Sequence, residues 1–249
     1  MTPLAILTII GIIILALVLL QRLTDKGRII SMRPLPALAG IRGQLGRAIE
    51  SGRPLHMTMG RGSLISQANP TSVASWQLLD HLTKDGCANG APPMITVGEG
   101  TLLPVAQDSL RHAYRTAGRN GEFNPAEAQF IATNTDAFIY AGGAAAFLQQ
   151  ANVTGNIAIG RFGEELALIV EAANHRQVEQ IIGSDDPTAV ALATAFTENV
   201  LIGEEMLAVG AYLDQNPSRL ASLQVQDTLR WIIVSAILLL AIIKVFLSI

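Results

Sequence analysis

The sequence predicts an α/β domain, Rossmann-like or flavodoxin-like, with a mostly parallel sheet, flanking helices and one transmembrane helix at each terminus. Three observations carry that prediction. Short apolar runs alternate with helical stretches between residues 55 and 213, the pattern of βαβ units. The runs end in Gly or in polar turn residues, where a strand gives way to a helix. Two apolar segments, 4–20 (LAILTIIGIIILALVLL) and 231–249 (WIIVSAILLLAIIKVFLSI), approach the roughly 20 residues that a helix needs to cross a bilayer.

The elements follow in chain order. Residues 1–21 form the first expected anchor. No Lys or Arg precedes its apolar stretch and no A-x-A-like site follows it, so it reads as uncleaved rather than as a signal peptide. Residues 22–54 read as a juxtamembrane linker, with Arg33-Pro34-Leu35-Pro36 extended and 37–52 a short helix broken by Gly40, Gly43 and Gly46. The α/β domain is expected over 55–216. Its runs are Leu55–Met59, Met94–Val97, Ala128–Ala132, Asn156–Ile159 and Val178–Ile182. Helices are expected over Thr71–Lys84, Leu102–Thr116, 137–148, 164–174, a stretch opening at Pro187, and Glu204–Leu213. The spacing between runs shrinks along the chain, and 164–182 reads alternatively as one long helix. Residues 187–213 are apolar but broken by Glu198, Glu204 and Glu205, so they read as amphipathic helices and not as a third span. Residues 217–229 form a second linker, and 230–249 the second anchor, with Trp231 at the interface and Lys244 placed to snorkel.

Arg22, Lys26, Arg28 and Arg33 follow the first anchor, and Arg219 and Arg230 precede the second. The positive-inside bias therefore places the domain on the cytoplasmic side of the inner (plasma) membrane with both termini outside. Net charge is −3 and only 15% of residues are charged. With no basic run, nucleic acid is excluded as an expected partner. The single cysteine, Cys87, fits a reducing compartment and lacks a nearby patterned His for nucleophilic work.

The most specific local signal is a repeat. Met57-Thr58-Met59-Gly60-Arg61-Gly62-Ser63-Leu64-Ile65 aligns without gaps to Ile95-Thr96-Val97-Gly98-Glu99-Gly100-Thr101-Leu102-Leu103, and 157–164 is a looser third version. A strand ending in Gly-x-Gly lets backbone approach a ligand closely, and a following hydroxyl can donate to it or cap a helix. Gly60, Arg61, Gly62, Ser63, Gly98, Glu99, Gly100 and Thr101 are accordingly the candidate ligand-binding residues, with Arg61 as an anion fork. The alternative is that these are two similar βα corners. The sixth motif position is Ile65 or Leu103 where a dinucleotide fingerprint wants Gly or Ala, and no Walker Lys occurs. Arg61 and Glu99 are also candidates to pair with each other. Asp185-Asp186 before Pro187 reads as a helix cap more readily than as a cation site, and Glu164-Glu165 and Glu204-Glu205 read as solvated helix faces. The four histidines share no metal-ligand spacing, no cofactor is specified, and no catalytic constellation can be assembled.

The stretch LAGIRGQLGRAIESGRPLHMTMGRGSL (38–64), with ITVGEGTLLPVAQDSLRHAY (95–114), resembles an uncharacterised family of prokaryotic membrane proteins carrying an α/β domain of unknown function. The resemblance implies a fold and a setting but no activity. The expected function is a membrane-anchored, oligomer-forming scaffold or ligand-sensing module, with the bilayer, further copies of the chain and other membrane proteins as partners. The alternatives are an enzyme or binding protein for a nucleotide-like anion at the Gly-x-Gly loops, and an accessory subunit of a transporter or channel.

Overall fold

The computed structural model describes residues 34–65, 69–132, 136–214, 219–220 and 222–231, with isolated positions between 11 and 22 and between 233 and 237. The chain divides into two compact units, Pro34–Leu213 and a second made of Met1–Arg33 with Asp214–Ile249. The expected membrane spans lie largely outside the described residues. Among the described residues no helix is long and apolar enough to cross a membrane.

The larger unit opens with α1 (Pro36–Ser51). It is continuous and not broken at its glycines. Pro36 starts it, Gly52 closes it at φ +64°, and Leu38, Ile41 and Leu45 recur on one buried face. Gly40 lets it pack on the sheet, since a methyl there would stand 3.3 Å from the Ile181 side chain.

Then come β1 (His56–Gly60), α2 (Pro70–Ala88), β2 (Met94–Val97), α3 (Leu102–Thr116), β3 (Ala128–Phe130), α4 (Ala137–Gln150), β4 (Gly155–Arg161), α5 (Leu166–His175), β5 (Glu179–Ser184), α6 (Pro187–Thr194), β6 (Val200–Ile202) and α7 (Glu204–Asp214). The segment 164–182 is thus a helix and a strand, and 187–213 contains a sixth strand that the sequence does not announce. The six strands are parallel and ordered β3-β2-β1-β4-β5-β6. That is the Rossmann order, which decides against the flavodoxin-like alternative and places the topological switch between β1 and β4.

The faces of the sheet differ in chemistry. One is aliphatic: Met57, Met59, Ile95, Val97, Ile157 and Ile159 form a core with the inner residues of α1, α2, α3 and α7. On the other, His56, Thr58, Thr96 and Asn156 are fully buried. There Ala158 and Ile182 complete a smaller core with α4, α5 and α6. The alternation of strand residues makes both faces, because neighbours along a strand point to opposite sides.

Candidate functional site

Both Gly-x-Gly motifs sit at the carboxyl edge of the sheet, side by side. Gly60 ends β1 with φ +72°, where an L side chain is strained. A Cβ there would also lie 2.6 Å from the Arg161 carbonyl oxygen. The chain turns at that point so that Arg61 N–H donates to Arg161 O at 3.0 Å and Gly98 N–H donates to Gly60 O at 3.0 Å. The pairing of β1 with β4 shifts register between Thr58 and Gly60, so β4 carries an extra residue beside the switch point. Such bulges re-aim side chains and concentrate near sites.

Arg61 reaches across the switch. Its Nε donates to Glu165 Oε1 at 2.8 Å, and its terminal nitrogen forms an ion pair with the same oxygen at 2.8 Å. The Glu165 side chain is only 2% exposed. The expectations that Arg61 pairs with Glu99 and that Glu165 lies on a solvated face are therefore both corrected. Glu165 is the residue just before α5, and its burial there against Arg61 removes it from water. It is the principal site residue that the sequence conceals.

Glu99 does something else. Its carboxylate accepts the Thr101 N–H at 2.7 Å and the Thr101 hydroxyl. The anion position at the start of α3 is thus filled by the chain's own carboxylate. The Thr101 oxygen also accepts Leu64 N–H at 3.3 Å, tying the two loops together. Gly98 is fixed by packing, since a Cβ would stand 2.8 Å from the Tyr140 ring and from Arg61 Cγ. A methyl at Gly100 would meet nothing within 4 Å. Ser63 is buried, and its hydroxyl oxygen accepts Ile65 N–H at 3.2 Å.

The other carboxyl-edge acids are engaged as well. Asp186 caps α6 through Thr188 N–H at 2.7 Å, in line with the capping reading. Asp185 accepts from the Asn69 side chain at 3.2 Å, a second tie between the halves of the sheet. Among the described residues no three groups are gathered to hold a metal ion.

Beneath the corners lies a polar network. His56 Nδ1 donates to Asn156 Oδ1 at 2.8 Å, and its Nε2 accepts from the Thr96 hydroxyl at 3.0 Å. Burial lowers its pKa to about 4, opposed by the Asn156 bond, so the ring is neutral near pH 7. The Tyr140 hydroxyl bonds Thr58, and burial raises its pKa to about 12. Cys87, buried near the end of α2, is pushed up to about 12 by burial and by Glu127. A thiol so placed is a poor nucleophile.

Strand order, switch point and paired corner loops define a Rossmann-like α/β protein. The chain belongs to the family described as a domain of unknown function (DUF6754), whose model matches residues 2–249. No curated protein and no solved structure matches it. An uncharacterised family is thus shown, and its description assigns no activity and says nothing of a membrane.

Proposed function

We propose that the chain is a membrane-anchored, self-associating module that senses a ligand at the β1–β4 crevice and transmits its occupancy, without transforming it. The observation that carries the anchoring is at the ends. Ile14, Leu15, Val18, Trp231, Ile233, Val234 and Ile237 lie on helical backbone and are 45–72% exposed. Apolar side chains in that number suit a non-aqueous surrounding. The basic residues flanking both segments support a cytoplasmic position for the α/β unit.

Sensing is supported by how the crevice is built. Arg61–Glu165 and Asn69–Asp185 each join the β1 half to the β4–β6 half. A ligand that competes for either tie changes the coupling between halves. The second reading, an enzyme for a nucleotide-like anion at the same loops, draws on the same crevice. Its base or nucleophile would have to come from elsewhere than His56, held near 4, or Cys87, pushed up to about 12.

The test is extraction and crosslinking of the full chain in isolated membranes. Retention in the pellet after an alkaline carbonate wash, with crosslinked species larger than the monomer, is the expected result. Release into the supernatant overturns the anchoring, and monomer alone overturns the assembly.

A further inference from the structure

We propose that the outer face of α4 is the surface through which two copies of this chain pair about a two-fold axis, the two helices crossing at Gly142 and Ala146. The inference rests on the self-association proposed for the chain and names its surface; the crevice and the anchors stand or fall separately.

The two sides of α4 are used differently. Tyr140, Ala141, Ala144 and Leu148 are buried in the core that α4 shares with α5 and α6. The same spacing displaced by two residues, about 200° round a helix, gives Phe138, Ile139, Gly142 and Ala146. Phe138 and Ile139 are 52% and 62% exposed, and Ala146 is exposed as well. Two large apolar side chains turned side by side to solvent form the kind of patch that marks an interaction surface.

Among the described residues nothing explains Gly142. A methyl there would meet nothing within 4 Å, whereas one on the adjacent Gly143 would collide with the Ile131 side chain. Glycine is the poorest helix former after proline, so a mid-helix glycine that packs against nothing weakens α4 without return inside the fold. A second helix crossing at that point makes use of it. Gly142 and Ala146 lie one turn apart on one face, and two such small residues let backbones approach closely.

Charge selects what covers the face. Each helix of the opposite layer, α1, α2, α3 and α7, carries three Asp, Glu, Lys or Arg residues, whereas α4 and α6 carry none and α5 only Glu171. The charged residues that border α4 are bonded to its own backbone. Asp136 accepts the Phe138 and Ile139 N–H groups at 3.1 and 3.2 Å, and Arg176 donates to the Gln149 and Ala151 carbonyls at 3.2 and 3.4 Å. An anionic headgroup therefore finds no Lys or Arg on the helices of this layer, and a charged protein partner finds no complement on α4. A second copy brings the same uncharged patch, so a two-fold contact is self-complementary and sets no like charges against each other.

The test is disulfide trapping of the full chain in isolated membranes. Ile139→Cys and Ala146→Cys are oxidised separately with copper phenanthroline, and Val73→Cys, exposed on α2, is the comparison. The native Cys87 is buried, so the unsubstituted chain gives the background. A disulfide-linked dimer from Ile139→Cys or Ala146→Cys, and none from Val73→Cys, is expected. Dimer from neither position, or as much from Val73→Cys, overturns the proposal. If amine-reactive crosslinking then still yields species above the monomer, this surface alone fails; if it yields monomer only, the self-association fails with it. A cysteine at 139 or 146 that stays monomeric and is shielded from maleimide is covered by lipid or by a different protein, which equally overturns the pairing. Adding Gly142→Leu to Ala146→Cys should cut the dimer yield at least about tenfold, the effect of losing a central contact. The Gly142→Leu chain, diluted to monomer in detergent, should keep or raise its thermal midpoint, because leucine is the better helix former and meets open space. An undiminished yield overturns the crossing at Gly142.

Discussion

Corners 57–65 and 95–103 carry one pattern, yet Arg61 in the first reaches Glu165 on the far half of the sheet, while Glu99 in the second folds back onto Thr101. The difference comes from strand order. β1 borders β4 at the switch point, so its corner faces loops from the other half of the fold. β2 lies between β1 and β3, and the hydrogen bonds of its corner stay within its own loop and the β1 corner. The equivalent threonines instead share one buried polar layer, where Thr58 bonds Tyr140 and Thr96 bonds His56. A motif's letters thus fix its turn, and its place in the sheet fixes its role.

The comparison breaks hardest at its glycines. Gly60→Ala forces a side chain into positive φ and against the Arg161 carbonyl. It should cost about 3 kcal/mol or more, lowering the thermal midpoint by roughly 6–12 °C. The equivalent Gly98→Ala meets the Tyr140 ring rather than backbone, and should cost less, on the order of 2 kcal/mol.

The polar layer below gives a pH signature. His56 is buried neutral at about 4, below its usual value of 6.5, so the unfolded chain binds its proton first as pH falls. Stability from this group is full above pH 6.5 and is lost as pH falls towards 4, by up to about 3 kcal/mol. Glu127, raised by burial, acts in the opposite sense. The measure is therefore the slope of urea-unfolding free energy against pH in the native chain minus that in His56→Gln. A slope unchanged by the substitution counts against the buried neutral ring.

Smaller effects sharpen the division between corners. Glu165→Gln leaves a half-buried guanidinium without its carboxylate and should cost about 2 kcal/mol, whereas Glu99→Gln should cost under about 1 kcal/mol. Thr101→Val removes the tie to Leu64 N–H and should cost about 1 kcal/mol. Gly100→Ala should fall within about 0.5 kcal/mol of the native chain, because a methyl there meets nothing. Thermal melts of the four variants side by side check this ranking.

Much of the fold was legible because most strands end in a turn signal and α1, α2, α4 and α6 open on a proline or a capping side chain. β2 and α3 fall where the pattern puts them, as Met94–Val97 and Leu102–Thr116. β6 was not legible. It has three residues, with Thr197, Glu198 and Asn199 before it, and its pairing with β5 forms only in the folded sheet. The continuity of α1 was hidden because glycines spaced along a helix read as breaks until packing on Ile181 explains one of them. The two corners were found, but their partners were not. Glu165 looks like a surface acid until strand order brings β4 beside β1.

The most direct test of the central claim is a pair of double-mutant cycles by urea unfolding of the full chain in detergent. Arg61→Ala with Glu165→Ala should show a coupling free energy on the order of 1–2 kcal/mol, and Arg61→Ala with Glu99→Ala one near zero. Coupling to Glu99 in place of Glu165 would contradict the strand order at the switch and the division of labour between the corners.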